Sequence, residues 1–363
     1  MSKKIKVRKV RDLGPQFVDN TYRMVGQDGA YSIPLGDTTL WFFGDTLIGN
    51  RTPSKSLWYI DEESIKFQAL TEGWNLIEKI VHNTGALVKN KIGAKGLDNY
   101  SHLMEDGKSL KQIIPLMDGE NQDSERIWCF HGCEISDRLY LFFQKIEIIE
   151  DEDSPFPVAF RVIGSGLAAG NKRDWEFKRV WDDNFGIAWK VDQPQFGAVV
   201  LSVADDDYLY IYGVLRDSVT STQNVYVARV QPAKIEDISC YEYLSNLTPE
   251  WSKKVTEAMP VFTGPPNELS ISFNRYLNCY LAVHSQDISG TIMGRTSHNP
   301  WGPWSEATEL YKVKLPTKKI PYPTLIYAGK EHPELSPDGG KTLYITYVEF
   351  EEYFPHLIEV ELD

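Results

Sequence analysis

The chain has 363 residues, 42% hydrophobic and 25% charged, which is typical of a globular protein able to bury a sizeable core. Its formal net charge of −13 would repel a nucleic-acid backbone and no basic stripe offsets it, so nucleic acid is excluded as an expected partner. The N-terminus is charged and no apolar stretch follows it, so the sequence predicts no signal peptide and no membrane association. We therefore expect a cytoplasmic protein, or a secreted one whose leader has been removed.

Residues that commonly hold metals or cofactors are scattered along the chain. The 4 cysteines form no C-x-x-C pair, and the 7 histidines form no H-E-x-x-H motif. No phosphate loop or dinucleotide fingerprint occurs either. We expect no metal and no cofactor, and we interpret the cysteines as reduced core residues: Cys129, Cys133, Cys240 and Cys279.

The chain opens with KIKVRKV (4–10), whose alternating pattern predicts a strand. Beyond it, short β-rich runs separated by Gly, Asp, Asn and Pro dominate, and helical periodicity is limited to 61–70 and 247–258. One pattern recurs, in which an apolar run meets a polar turn and then a second run rich in Leu, Tyr, Phe or Val. In chain order its copies are AYSIPLGDTTLWFFG (30–44), WCFHGCEISDRLYLFFQ (128–144), QFGAVVLSVADDDYLYIYG (195–213), ELSISFNRYLNCYLAVH (268–284) and YPTLIYAGKEHPELSPDGGKTLYITYV (322–348).

Five such hairpins predict an all-β fold, a five-bladed β-propeller formed by the whole chain, 1–363, as a single domain. Stacked blades bury both faces of a strand, which explains why runs such as YLYIYG do not alternate with polar residues. The step from the first hairpin to the second is the longest, and it predicts a loop insertion around 52–125. KIKVRKV is expected to add an outer strand to the last blade and close the ring. A β-sandwich is the alternative fold.

The first hairpin, within 27–46, brings two acidic residues together. Its turn is centred on Gly36-Asp37, and Gly at the first turn position suits a tight type II′ turn. With regular pairing the numbers of opposed residues sum to 73, so Asp28 faces Asp45. Side chains of opposed residues leave the sheet on the same face, with Cβ atoms about 4.5–5.5 Å apart.

Two carboxyl groups at that distance split each other's pKa values, which leaves one acid and one base near neutral pH. Glycoside hydrolysis needs this combination, because one carboxyl protonates the leaving oxygen while the other attacks the sugar or activates water. The alternative interpretation is that one Asp caps a turn and the other binds a loop amide.

Glu268 is a third catalytic candidate, because it opens the apolar strand of the fourth hairpin, where Glu is disfavoured. It would act as proton donor or as acceptor for a sugar hydroxyl. Four other side chains near the ends of predicted strands are candidate substrate ligands: His131, Arg216, His332 and Glu334. For each of them the alternative is structural, as a strand-end acid, a buried histidine or half of a surface ion pair.

The segment DGAYSIPLGDTTLWFFGDTLIG (28–49) resembles the opening motif of the family called domain of unknown function 4185, which is grouped with glycoside hydrolase family 183. WCFHGCEISDRLYLFF, SGLAAG, NELSISFN, NPWGPW and HPELSPDGGKTLYITY also resemble it, so the likeness extends from about Tyr22 to Val348. The resemblance implies a five-bladed propeller glycosidase, similar to endo-acting D-arabinofuranosidases that cut mycobacterial arabinan. It also implies two essential acids in the first hairpin, which by motif are Asp28 and Asp45.

We therefore predict a glycoside hydrolase that cleaves O-glycosidic bonds of an oligo- or polysaccharide, with a D-arabinofuranoside as the candidate substrate. One alternative is a non-catalytic carbohydrate-binding propeller, in which Asp28→Asn would keep binding. Another is an inverting glycoside phosphorylase, which needs Arg, Lys or His beside the acids to hold phosphate. A carbohydrate is the expected partner in all three cases.

Overall fold

Each repeated hairpin forms the first two strands of its own β-sheet. The computed structural model describes residues 4–18, 21–52, 56–60, 63–64, 77–181, 183–204, 206–265, 267–315 and 320–363. Within these ranges there are strands and six short 3-10 turns, at Gly93–Lys95, Asp183–Gly186, Pro232–Lys234, Ile238–Cys240, Val255–Glu257 and Pro333–Leu335, and no α-helix. The predicted all-β fold is confirmed.

The described residues form 28 strands, which fall into five groups along the chain. The first group is β1 (Val7–Pro15), β2 (Met24–Gln27), β3 (Tyr31–Leu35), β4 (Thr38–Phe42), β5 (Asp45–Gly49), β6 (Tyr59–Ile60), β7 (Glu63–Ser64), β8 (Ile77–His82), β9 (Gly85–Val88) and β10 (Tyr100–His102). The second is β11 (Glu125–Ile135), β12 (Arg138–Ile149), β13 (Ala159–Gly170), β14 (Lys178–Arg179) and β15 (Ile187–Lys190). The third is β16 (Gln195–Ser202), β17 (Leu209–Arg216), β18 (Gln223–Val230), β19 (Glu242–Asn246), β20 (Glu250–Ser252) and β21 (Phe262–Thr263). The last two are β22 (Leu269–Asn274), β23 (Cys279–Gln286), β24 (Thr291–Ser297) and β25 (Thr308–Lys312), then β26 (Ile326–Glu331), β27 (Thr342–Glu349) and β28 (Pro355–Leu362).

These strands build a five-bladed β-propeller, as predicted. Blade 1 has the strand order β3-β4-β9-β10, blade 4 the order β22-β23-β24-β25, and blade 5 the order β26-β27-β28-β1. Blade 2 begins β11-β12-β13, and blade 3 begins β16-β17-β18, each with short outer strands added. The inner strands contact each other in the sequence β3, β11, β16, β22 and β26, which arranges the blades in a ring around a central channel.

The N-terminal strand closes the ring. β1 pairs antiparallel with β28, so the first strand of the chain is the outer strand of the last blade. Arg8 and Arg11 form ion pairs with Glu361 and Glu359 across this pairing. The prediction for KIKVRKV is confirmed.

The hydrophobic core lies between neighbouring blades, because each blade buries both of its faces. All six residues Leu209–Val214 of β17 are buried, which accounts for the non-alternating apolar run. Phe142 of blade 2 and Phe196 of blade 3 belong to one buried cluster, and Trp41 of blade 1 and Tyr344 of blade 5 belong to another. These packed faces hold the inner strands in register around the channel.

Two segments differ from the prediction. Within 52–125, β9 and β10 are the third and fourth strands of blade 1, and β8 pairs with β5, so these parts of the segment belong to sheets and not to a loop insertion. Strands this short give no clear alternation, so the sequence did not reveal them. The segment 247–258 contains β20 and a 3-10 turn instead of a helix, and 61–70 lies largely outside the described residues.

No helix in the described part of the chain has the length and apolar character needed to cross a membrane.

Candidate active site

The two acids of the first hairpin lie opposite each other, where the hairpin changes from one sheet to another. Ser32 pairs with Trp41 in blade 1, and Gln27 pairs with Thr46 in the β2–β5 ladder, so the predicted register holds on both sides. Between the two sheets, the backbone N–H of Asp28 donates to the carbonyl oxygen of Asp45 at 3.2 Å. The two residues therefore lie side by side near the predicted register, although β2 ends at Gln27 and no ladder includes Asp28.

Small residues make room for the Asp28 carboxyl group at this junction. A Cβ atom added at Gly44 would lie 2.5 Å from Asp28 Oδ1, so only glycine fits beside the carboxyl. Gly29 has a φ of 81° and Ala30 a φ of 68°, a left-handed stretch that interrupts the strand directly after Asp28. Strained backbone of this kind is held by its surroundings and is common at functional sites.

Hydrogen-bond donors surround the Asp28 carboxyl group. The backbone N–H of Asp45 donates to Oδ1 at 2.9 Å, and the Tyr327 hydroxyl donates to Oδ2 at 2.7 Å. A second phenol, that of Tyr353 in the β27–β28 turn, also hydrogen-bonds to Asp28. Since each phenol can donate or accept, this network accommodates both protonation states of Asp28.

The Asp28 carboxyl group is set to titrate near neutrality. Burial raises its pKa to about 7, and the negative charges of Asp45 and Glu268 act in the same direction, while the Tyr327 and Tyr353 hydroxyls oppose the shift. A carboxyl group with this pKa can hold a proton at neutral pH and release it during a reaction.

Asp45 lies beside groups that can carry positive charge. It is 5% exposed, and its Oδ1 is 2.7 Å from Nδ1 of His82, the residue opposite it in β8. Burial lowers the pKa of Arg126, and the negative charge of Asp45 partly offsets that shift, so these two charges also interact. The Asp45 carboxyl group thus bonds the His82 ring and interacts electrostatically with Arg126.

Glu268 joins the same electrostatic cluster. Its Oε1 is 2.9 Å from the ammonium group of Lys330, whose side chain is only 2% exposed. That ammonium group also donates to the carbonyl oxygen of Gly29 at 2.7 Å and lies 4.5 Å from the centre of the Tyr31 ring. The structure therefore brings together all three predicted catalytic acids, with Lys330 linking Glu268 to the residue after Asp28.

The predicted ligands His131 and His332 are occupied by the protein itself. Val200 N–H donates to His131 Nδ1 at 3.0 Å, so Nε2 carries the proton and donates to the Ser32 carbonyl oxygen at 3.1 Å. His332 Nδ1 and Nε2 bond the hydroxyls of Ser32 and Thr346 at 2.6 and 2.7 Å. Burial lowers the pKa of His131 to about 4 and that of His332 well below its usual value. Neither ring has a nitrogen free to bind a sugar hydroxyl.

Glu334 lies with these histidines in a different part of the channel. A cavity of about 190 Å³ is lined by four of these side chains: His131, His332, Glu334 and Lys330. Of the four, Lys330 is the one that bonds Glu268. Burial raises the pKa of Glu334, and no described contact ties it to Asp28 or Asp45. The fourth predicted ligand, Arg216, is exposed at the end of β17 and lines a larger groove that reaches Asn267, the neighbour of Glu268.

Comparison with protein families assigns the chain. Residues 14–359 match the family model described as domain of unknown function (DUF4185). The chain belongs to the DUF4185 family. The resemblance visible in the sequence motifs is thereby confirmed, although the description of the family names no activity. A search of the curated proteins returns no match.

Solved structures with the same fold include named glycoside hydrolases. This DUF4185 protein is similar to a candidate hydrolase from Bacteroides ovatus, at 14% identity and a TM-score of 0.61, over 96% of this chain and 87% of that one. The family 117 glycoside hydrolase Zg3597 from Zobellia galactanivorans is 8% identical, with a TM-score of 0.54 over 98% and 90% of the chains. CoXyl43, a GH43 β-xylosidase/α-arabinofuranosidase from a compost microbial metagenome, is 12% identical, with a TM-score of 0.50 over 99% and 95%. At these identities the likeness concerns the fold.

Sequence reasoning missed several partners of the acids in this DUF4185 protein. Tyr327 and Tyr353 come from blade 5, about 300 residues after Asp28, and no spacing rule connects them. His82 was hidden because strand β8 was assigned to an insertion. Lys330 offered the one usable signal, since a lysine inside an apolar strand needs a charged partner.

One group of described residues in this DUF4185 protein has ligand atoms close enough together for a metal ion. Glu349, Glu352 and His356 lie at the β27–β28 turn, with these atoms within 4.8 Å of one another. Glu352 already bonds His356, with 2.7 Å between Oε2 and Nε2.

Proposed function

We propose that this protein is a glycoside hydrolase whose catalytic carboxyl groups are those of Asp28 and Asp45. The observation that carries the proposal is their juxtaposition, with an Asp28 pKa of about 7 and with His82 and Arg126 beside Asp45. A proton-holding carboxyl next to a carboxylate is the pair that glycoside hydrolysis requires. The fold it shares with named glycoside hydrolases supports the same reaction class.

In this mechanism Asp28 is the general acid. Its carboxyl proton passes to the glycosidic oxygen as the bond to the anomeric carbon breaks, and the leaving group departs as an alcohol. Asp28 is left as a carboxylate, which the N–H of Asp45 and the hydroxyls of Tyr327 and Tyr353 stabilise. Water then returns a proton to Asp28 to complete the cycle.

Asp45 supplies the second carboxyl group. We assign the retaining mechanism, which needs carboxyl groups about 5 Å apart, because a backbone hydrogen bond from Asp28 to Asp45 holds the two residues side by side. Asp45 then attacks the anomeric carbon, and water assisted by Asp28 releases the sugar from the resulting ester. Proton NMR of the first product would show the same anomeric configuration as the substrate.

Glu268 and Lys330 hold the substrate in this proposal. Because Glu268 is paired with Lys330 at 2.9 Å, we assign it the acceptor role toward a sugar hydroxyl and not the role of proton donor. Substrate hydroxyls binding there would be fixed relative to Asp28, since Lys330 also bonds the Gly29 carbonyl oxygen.

The cationic side chains near the acids do not favour the phosphorylase alternative, because they already have partners within the protein. Arg126 donates to the backbone carbonyls of Gln122, Asp123 and Glu125, so its guanidinium group is already largely occupied. His82 is bonded to Asp45. Turnover that depends on added phosphate would nevertheless favour a phosphorylase over a hydrolase.

A glycan screen tests the proposal. Wild type is incubated with neutral oligo- and polysaccharides, including D-arabinans, and reducing ends are counted beside Asp45→Asn and the control Asp37→Asn, which changes a fully exposed turn residue. We expect cleavage by wild type and Asp37→Asn, and none by Asp45→Asn. Binding of a glycan without cleavage by wild type would contradict the hydrolase assignment and favour the non-catalytic propeller.

A further inference from the structure

The turn between β27 and β28 gathers groups that can bind a metal ion. β27 ends at Glu349, and the segment FEEYF (350–354) joins it to β28. The backbone N–H groups of Glu352 and Tyr353 both donate to the Glu349 carbonyl oxygen, at 3.1 and 2.7 Å, which keeps the turn tight. The turn thereby brings Glu349, Glu352 and His356 together, with one ligand atom of each within 4.8 Å of the others.

The hydrogen bonds of these three side chains are incomplete. Glu352 and His356 bond each other, with 2.7 Å between Oε2 and Nε2. His356 is 9% exposed, and its buried Nδ1 has no hydrogen-bond partner in the described part of the chain. Among the described residues, no group donates a hydrogen bond to the Glu349 carboxylate. Buried polar atoms without partners are costly, and a ligand that engages them removes part of this cost.

Negative charge at the turn is only partly balanced. Glu349 lies near the charges of Glu351 and Glu352, and His356 is the one described group of opposite charge that acts on it. The Arg51 guanidinium also approaches the turn, but it donates to backbone carbonyl oxygens, including that of Glu352. A bound cation would balance the charge that remains at Glu349.

Two carboxylates and one imidazole match a divalent transition-metal ion. Imidazole is a common ligand of Zn²⁺, whereas Ca²⁺ and Mg²⁺ are usually held by oxygen atoms. Zn²⁺ binds nitrogen and carboxylate oxygen at about 2.0–2.2 Å, so ligand atoms around it lie roughly 3.4 Å apart in a tetrahedral site. Ligand atoms that already lie within 4.8 Å reach this spacing through small side-chain rotations. Three protein ligands leave the fourth position for water.

The same turn presents Tyr353 to Asp28. Tyr353 follows Glu352 directly in the chain, and its phenol hydrogen-bonds to Asp28. An ion held by Glu349 and His356 would link the end of β27 to β28 across the turn. The position of the Tyr353 backbone would then depend on the ion.

We propose that Glu349, Glu352 and His356 bind one divalent transition-metal ion of the Zn²⁺ type, which fixes the turn that carries Tyr353. This site is distinct from the acids Asp28 and Asp45. Its test uses no turnover measurement, so it stands or falls independently of the proposed hydrolase activity.

Calorimetric titration tests the site. The full-length protein is freed of metal with EDTA, dialysed and titrated with ZnCl₂. We expect one Zn²⁺ ion to bind per chain, and a hundredfold excess over Kd should raise the melting temperature by roughly 3 °C. Glu349→Gln and His356→Gln should each weaken binding at least about tenfold, because each removes one ligand. Glu349→Gln keeps the test decisive if His356→Gln does not fold, since the Glu349 carboxylate accepts no hydrogen bond from the described residues.

Glu351→Gln is the matched control. Glu351 lies on the same turn, but its carboxylate accepts hydrogen bonds from the Ser56 hydroxyl at 3.0 Å and from the Tyr322 hydroxyl. The substitution removes the same charge as Glu349→Gln and no proposed ligand, so Zn²⁺ affinity should be nearly unchanged. This control separates coordination from general electrostatic attraction.

Hydrogen exchange tests whether the ion fixes the turn. Zn²⁺ should slow exchange of the amides in 350–354 severalfold in the wild type, and it should have no such effect in Glu349→Gln. Unchanged exchange in the wild type with Zn²⁺ bound would overturn the claim that the ion holds this turn.

Three other results would overturn the metal site itself. The first is a wild type that binds no Zn²⁺. The second is equal affinity in the wild type, Glu349→Gln and His356→Gln, which would place the ion elsewhere on the protein. The third is binding of Ca²⁺ or Mg²⁺ as tight as that of Zn²⁺, which would contradict a site built around the His356 imidazole.

Discussion

At the scale of single residues, the protonation state of Asp28 affects stability and, in the proposed mechanism, governs activity. Its carboxyl group has a pKa of about 7 because it is buried near two other acids, Asp45 and Glu268. A general acid must be protonated, so kcat/KM should fall as pH rises above 7. The pKa obtained from this alkaline limb of the pH dependence of kcat/KM is that of the free enzyme, which is the state that the structure shows.

Tyr327→Phe tests that environment. The Tyr327 hydroxyl donates to Asp28 and lowers its pKa, so the variant should have a higher Asp28 pKa. We expect the alkaline limb of kcat/KM to move upward by about one pH unit, because a hydrogen bond to a charged group contributes roughly that much. An unchanged limb with reduced kcat would mean that Tyr327 positions Asp28 without tuning it. A limb that moves to lower pH would contradict the assignment of Asp28 as the acid.

Asp28→Asn should make the protein more stable, although inactive. The folded-state pKa of about 7 exceeds the ordinary value of 3.8, so the folded protein binds the proton more tightly than the unfolded chain. The free energy of unfolding of the wild type therefore falls as pH rises from about 4 to about 7 and stays low above that. The variant lacks this loss, and its gain should reach up to about 4 kcal/mol. Thermal denaturation at pH 5 and pH 8 measures it, and an equal gain at both values would count against the raised pKa.

At the scale of elements, strand β1 carries the closure of the ring. It covers the edge of β28, and Ile5, just before it, is part of the buried cluster between blades 4 and 5. Deleting residues 1–14 should lower the melting temperature strongly and promote aggregation, because the exposed edge of β28 can pair with other chains. Light scattering and thermal denaturation check this.

The double variant Arg8→Ala/Arg11→Ala is the control for that deletion. It removes two exposed ion pairs and keeps the strand, so it should cost less than about 2 kcal/mol. A truncated protein as stable as the wild type would show that closure does not depend on β1.

The elements that the sequence predicted well are those with long, locally paired patterns. The hairpin β3–β4 has a two-residue turn with Gly36 at a φ of 77°, so turn chemistry fixes the register of this hairpin. The β2–β5 ladder continues the same register beyond the interruption and brings Asp28 beside Asp45. Blade 1 was misjudged beyond that hairpin, because β9 and β10 have only four and three residues and pair across a long separation. Partners that come from distant blades, such as Tyr327 and Tyr353, depend on ring closure and leave no local pattern.

At the scale of the whole molecule, the net charge predicts which glycans the proposed enzyme would accept. A protein with a formal charge of −13 repels polyanionic glycans, and added salt screens this repulsion. We expect activity on neutral glycans to change little with ionic strength, and any binding of uronate-containing polysaccharides to strengthen as salt is added. Preferential cleavage of an anionic polysaccharide at low salt would contradict this view of the substrate.

Topology at this scale was predictable because the hairpin repeat is periodic, and a candidate site was predictable only where two acids share one hairpin. The ring converts that local pair into a site by adding Glu268 and Lys330 from blades 4 and 5. His131 and His332 were predicted as substrate ligands, but both form hydrogen bonds within the protein. A polar residue on an inner strand can therefore connect structural elements as well as bind a substrate, and the sequence does not distinguish the two roles.

The most direct test of the central claim is the hydrolysis rate of three purified variants on the best glycan from the screen. Asp28→Asn and Asp45→Asn should each lose at least about a thousandfold in kcat while keeping a cooperative thermal transition, and Asp37→Asn should match the wild type. Azide should restore turnover to an Asp45→Ala variant, because it replaces the missing nucleophile. If either Asp→Asn variant kept more than a tenth of wild-type turnover, the paired carboxyl groups would not be the catalytic ones.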